Sequence, residues 1–125
     1  FDMIILCIDD SYDRYSKFAR MAAEKGLVAV IGYGPEFINF YLNNCRNQIV
    51  GICLDHDMPG YNGRKVAQND LSEFNIPVVI TSSNPLGANA IKDILDEYAV
   101  PCTKMKPVNA LEWQRRALEW FEEQT

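Results

Sequence analysis

The sequence predicts an α/β protein: a doubly wound five-stranded parallel sheet with helices on both faces. Five short apolar runs alternate with five amphipathic helical stripes, and the longest runs lack the in-and-out alternation of a strand with one wet face. Polar residues able to do chemistry stand just past the ends of those runs. That is where an open parallel sheet keeps its ligand site.

Met3–Ile8 is an unbroken apolar run that stops at Asp9-Asp10, as a strand buried on both sides does on reaching a polar edge. From Ser11 onward Tyr15, Phe18, Ala19 and Ala22 fall at helical spacing, and Gly26 terminates the pattern. Residues 27–31 are strand-like and 32–34 form a turn. Pro35 then opens a helix carrying Ile38, Tyr41, Leu42 and Cys45. Ile49–Leu54 is a third buried strand. A loop over 56–62 leads to a weaker helix reaching Phe74, and Pro77 precedes a β-branched strand at 78–81. Ile91, Ile94, Leu95 and Tyr98 make a fourth stripe, residues 99–103 fit a short fifth strand, and Ala110–Glu123 is a last helix with Leu111, Trp113, Leu118, Trp120 and Phe121.

A chain of 125 residues closes one hydrophobic core, so residues 1–125 are expected to form one domain. Hydrophobic residues at 48% against 23% charged ones exclude a disordered chain. The net charge of −5 and pI near 4.8 leave no basic face for a phosphate backbone, so direct nucleic-acid binding is not expected. No apolar run approaches the roughly 18–20 residues that cross a bilayer, and the expected location is cytoplasmic with no membrane contact. The chain opens on Phe1, so its true start is expected to lie upstream or to have been removed. Cys7, Cys45, Cys53 and Cys102 have no CxxC spacing, and three lie in apolar runs, which predicts core thiols rather than disulfides or zinc ligands.

In the predicted sheet, Asp9-Asp10, Asp55, Thr81-Ser82 and Lys106-Pro107 follow strands one, three, four and five and converge on one edge. Three carboxylates brought together repel one another unless a hard divalent cation sits among them, and magnesium suits such oxygen ligands while leaving room for phosphate oxygens. A carboxylate also accepts a phosphoryl group when positive charge and donors steady the transferred oxygens. Asp55 is the expected acceptor, with Lys106 as fixed charge and Thr81 as hydroxyl donor. Taken singly, each feature has a plainer meaning. Asp9-Asp10 alone reads as an acidic pair at a helix start, Met-Pro-Gly after Asp55 as a turn, Thr81 to Ser83 as a helix cap, and Lys106 as a surface lysine. Their joint occurrence at successive strand ends favours the site.

With those positions placed, the chain resembles the receiver domains of two-component response regulators over nearly its whole length. The resemblance is carried by IILCIDD at 4–10, LDHDMPGYNG at 54–63, VVITSS at 78–83 and Lys106-Pro107. It implies a flavodoxin-like (βα)5 receiver fold and a phosphorylation-dependent signalling switch. The acceptor is then selected as Asp55 over Asp57 by Met58-Pro59 and Gly63 at the family's offsets. By the same resemblance Mg2+ is the cofactor, Asp9, Asp10, Asp55 and Asp57 form its site, Asp57 and Ser83 tune the phosphoryl lifetime, and Lys106-Pro107 is a cis peptide.

The implied partners are a histidine kinase or phosphotransfer protein and an output protein, with a homodimer through the helix 4, strand 5, helix 5 face as a further option. Activity would extend no further than self-phosphorylation and self-dephosphorylation. One departure is that Thr103 stands where the family places an aromatic switch residue. Two rival readings follow. A pseudo-receiver would keep the fold as an interaction module without phosphorylation. A haloacid-dehalogenase-like phosphatase would use Asp55-His56-Asp57, but that family carries its DxD string after the first strand rather than the third. The lone His56 is assigned no catalytic role, and Trp113, Trp120 and Phe121 form either core or a partner-facing surface.

Overall fold

The computed structural model describes residues 2–107 and 110–125. Five strands, β1 (Met3–Ile8), β2 (Leu27–Gly32), β3 (Ile49–Leu54), β4 (Val78–Ile80) and β5 (Cys102–Lys104), form one parallel sheet in the order β2-β1-β3-β4-β5. The expected doubly wound fold is therefore present. Helices α1 (Ser16–Glu24), α2 (Pro35–Asn44), α3 (Gly63–Val66), α4 (Pro85–Glu97) and α5 (Ala110–Glu123) connect or follow the strands.

The two-residue period of each strand sorts its side chains into two cores. Ile4, Leu6 and Ile8 join Ile38, Leu42, Leu71, Ile91 and Leu95 on the α2, α3 and α4 face. Ile5, Cys7, Cys53 and Val79 join Phe18, Ala22, Trp113, Leu118 and Phe121 on the α1 and α5 face. Cys7 and Cys53 are thus core residues, as expected, and lie opposite each other across the β1–β3 ladder. Trp113 and Phe121 belong to the core while Trp120 is half-buried, so the broad apolar face of α5 is mostly packing. Leu111 lies where side chains are outside the described residues.

Four local expectations change. The segment after β1 does not enter an α-helix at once. Residues Tyr12–Tyr15 form a 3₁₀ turn, and α1 starts only at Ser16. The weaker third helix is one α-turn followed by a wider π-turn over Ala67–Leu71. The fifth strand begins later than residue 99 because Ala99 takes φ +57 as α4 ends and the Val100 amide turns back to the Leu95 carbonyl (2.9 Å). Finally, Lys106-Pro107 is trans, the conformer favoured by about 0.5–1 kcal/mol before proline, so the expected cis peptide is not found.

Turn chemistry supports the rest. Gly26 has φ +76 just after α1, a left-handed value that side-chain-bearing residues resist. Pro35 stands in the first turn of α2, where its missing amide removes no helical bond. Asn84 caps α4 by accepting from the Gly87 amide (3.2 Å), the task that the plainer reading of Thr81 to Ser83 gives to that run. Within that run the Ser82 hydroxyl instead accepts from the Asn84 amide (3.0 Å). No helix among the described residues is long and apolar enough to cross a membrane.

Candidate functional site

Parallel pairing sets the last residues of four strands in one row: Ile8 opposite Leu54, Leu54 opposite Ile80, and Ile80 opposite Lys104. The ladder then runs one step further. The Asp55 amide donates to the Ile8 carbonyl (3.0 Å), the Thr81 amide to Leu54 (2.9 Å) and the Met105 amide to Ile80 (2.9 Å). Asp9, Asp55, Thr81 and Met105 are therefore neighbours. Because Asp9 continues the Ile5-Cys7 set, Asp55 follows Cys53 and Thr81 follows Val79, all three point to the α1 and α5 face. The site thus lies at the carboxyl edge where the chain reverses its direction across the sheet, between β1 and β3.

Asp9 is fully buried and fully bonded. Its Oδ1 accepts from the Ser11 amide (2.9 Å), and its Oδ2 accepts from the Tyr15 hydroxyl (2.9 Å) and from Arg14 Nη1 (2.7 Å). Tyr15, also buried, lies 3.1 Å from the Thr81 hydroxyl, so one phenol joins the ends of β1 and β4. Edge-on packing against Phe18 (5.9 Å) and Trp113 (5.8 Å) keeps that ring in place. Asp55 is 6% exposed, and Arg14 Nη1 stands 3.7 Å from its Oδ1. Burial and then the neighbouring Asp9 charge push the Asp55 carboxyl up to about 6, against the pull of Arg14. Burial also raises Asp9, opposed by the Ser11 amide and Arg14.

Asp10 completes the cluster, since Asp9, Asp10 and Asp55 each offer a carboxylate oxygen within 4.8 Å of the others. Three hard oxygen donors at that spacing, one exposed and two buried, fit a magnesium-type cation that keeps part of its water. The Asp57 side chain stands apart from this trio. It pairs with His56 Nδ1 (2.9 Å) and receives the Asn84 side-chain amide (3.3 Å), and these bonds hold its carboxyl below the usual range. Lys106 follows Met105, one residue beyond the row. It is exposed and makes no ion pair or hydrogen bond among the described residues. Sequence reasoning therefore placed Asp9, Asp10, Asp55 and Thr81 together, while the cation at the carboxylates is Arg14, to which it gave no role. Tyr15 was read only as core.

Two glycines explain the shape of the surrounding loop. A Cβ on Gly63 would meet the Asp55 backbone carbonyl and lie 2.9 Å from the His56 Cα, so the loop after Asp55 closes only over a residue without a side chain. A Cβ on Gly87 would lie 2.9 Å from the His56 Cβ, so the imidazole packs directly on the first turn of α4.

No family model matches this sequence, and no curated protein matches it. Solved structures do share the fold. A Francisella response-regulator receiver domain superposes with a TM-score of 0.70 at 20% identity, covering 98% of this chain and 99% of that one. The response regulatory domain of mrkE from Klebsiella pneumoniae gives 0.66 at 17% identity, covering 97% and 99%. A mutant receiver domain of a histidine kinase from Arabidopsis thaliana gives 0.58 at 14% identity, covering 94% and 90%. The chain has the receiver fold.

Proposed function

We propose that this chain is a phosphorylation-dependent switch of a two-component system, with Asp55 as the phosphoacceptor. The reading is carried by one observation: Asp9, Asp55 and Thr81 leave adjacent strand ends on the same face, with Asp10 beside them. An Asp55 carboxylate oxygen forms the new O–P bond as the bond from phosphorus to the donor, a phosphohistidine nitrogen of a kinase or phosphotransfer protein, breaks. The raised Asp55 pKa marks a carboxylate whose negative charge the site resists, and phosphorylation there brings more negative charge, which cations must offset. Asp9, Asp10 and Asp55 would hold magnesium, with Asp57 giving its backbone carbonyl, and the bound ion supplies that neutralisation.

The Thr81 hydroxyl, one strand away from the acceptor, donates to a transferred oxygen by leaving Tyr15. Lys106 is the arriving cation: exposed and unpaired among the described residues, it has no partner to give up when it turns inward. Asp57, two residues after the acceptor, and Ser83, two residues after Thr81, set how long the acyl phosphate survives. The output is a changed partner surface on α4, β5 and α5, for an effector or a second copy of the chain. Turnover is limited to gain and loss of this one phosphoryl group, in the cytoplasm.

A second reading is favoured by Arg14, which already stands where a cation is needed: a pseudo-receiver that binds partners without phosphorylation. Magnesium with acetyl phosphate or beryllofluoride, followed by intact mass and Trp fluorescence, decides between them. An adduct that Asp55→Asn abolishes supports the switch. Its absence in the unaltered protein leaves the interaction module.

A further inference from the structure

We propose that Arg14 is a tethered cation that holds the acidic site in the absence of metal and competes with a divalent cation for the Asp9 and Asp55 carboxylates. The inference rests on the reading that this site takes such an ion. Arg14 Nη1 is 2.7 Å from Asp9 Oδ2 and 3.7 Å from Asp55 Oδ1, so one guanidinium nitrogen bridges two of the three carboxylates that cluster within 4.8 Å. Two buried like charges at this spacing would otherwise repel. A magnesium-type ion sits about 2.0–2.1 Å from its oxygens. An ion drawing on these same oxygens would crowd the guanidinium and repel it, so the two cations exclude each other.

The arm is built to move at its tip and not at its base. Its backbone carbonyl accepts from Gln114 Nε2 (3.1 Å), a buried side chain on α5, and the next residue is Tyr15, locked in the aromatic core. The Arg14 side chain as a whole retains 23% exposure, so it is not sealed into the core. Its grip on Asp9 is a charge-assisted hydrogen bond, whereas that on Asp55 is a longer ion pair without hydrogen-bond geometry, so Asp55 is the first to be released. The consequence is a site with lower metal affinity than its carboxylates alone would give.

The test compares the unaltered protein with Arg14→Met, which keeps the apolar stem, and Arg14→Lys, which keeps the charge but not the planar fork. Mg2+ and Mn2+ binding is measured by calorimetry on chelator-stripped protein, and melting is followed with and without Mg2+. Arg14→Met is expected to bind the ion about tenfold more tightly or better, with Arg14→Lys in between. The Met variant should melt below the unaltered protein in chelator and recover at saturating Mg2+. Equal or weaker ion binding by the variants, in protein that binds Mg2+ normally, overturns the inference and leaves the switch reading intact. No ion binding by any of the three overturns the inference and the metal site together. Should Arg14→Met not fold, Arg14→Gln, which removes the charge but keeps a polar side chain, takes its place, and an unchanged affinity there overturns the inference.

Discussion

The β1 end and the β5 end of the same sheet edge are built on different principles. At β1, Asp9 is fully buried with three donors on its two oxygens, and the donors come from a turn pinned by Tyr15 to β4 and by Gln114 to α5. At β5, an edge strand of three residues pairs only with β4, Lys104 reaches sideways to the Asn89 side chain (2.6 Å), and Lys106 lies exposed. The difference separates two tasks. Holding like charges together demands a rigid, satisfied shell, because each unpaired buried polar group costs about 1–3 kcal/mol. Under the proposed switch, passing on a signal would demand groups that move cheaply, which short edges and exposed side chains provide.

The contrast is tested most severely at Tyr15. Tyr15→Ala removes a fully buried ring and both of its polar links, and is expected to cost about 3–5 kcal/mol in urea unfolding. Tyr15→Phe keeps the ring and should lose about 1–2 kcal/mol. A loss from Tyr15→Ala no larger than that of a surface substitution would erase the distinction between the two ends.

A middle-sized effect is expected from pH. The Asp55 carboxyl, pushed from 3.8 to about 6 in the folded protein, favours the protonated form. Its contribution to stability is therefore present below pH 4 and is lost as pH rises through about 6. In chelator, the unaltered protein should lose on the order of 1–2 kcal/mol relative to Asp55→Asn between those pH values, once solvent screening is allowed for. Melting curves of the two proteins across pH 4–8 check this, and parallel curves would show that Asp55 carries no such strain. The smallest effect belongs to Lys106→Ala. It should change stability by less than about 0.5 kcal/mol while weakening beryllofluoride binding, and a large stability loss would place Lys106 in a fixed network like that of Asp9.

How much of the site was readable depended on the range of the interaction involved. Asp9, Asp55 and Thr81 were legible because each ends an apolar run, and parallel strands must present those ends together. Gly63 was legible as an offset from Asp55. Its cause, the Asp55 carbonyl and His56 Cα pressed against the missing Cβ, was not. Arg14 gave no signal, since a basic residue five positions after Asp9 looks like any solvated helix face. It reaches the carboxylates from within the 3₁₀ turn of Tyr12–Tyr15. His56, given no catalytic role from the sequence, ties Asp57 to the start of α4 through its ring and Gly87.

Periodicity and punctuation are local properties, and they alone determined the five strands, the helices between them and the edge to which the acidic residues would come. Which residues share that edge on one face is a matter of register between strands distant in sequence, and only the tertiary structure decided it. A single step along a strand turns a side chain to the opposite face or carries it past the end of the ladder. Met105 therefore completes the row at β5, Lys106 falls outside it, and the guanidinium of Arg14 stands against the carboxylates.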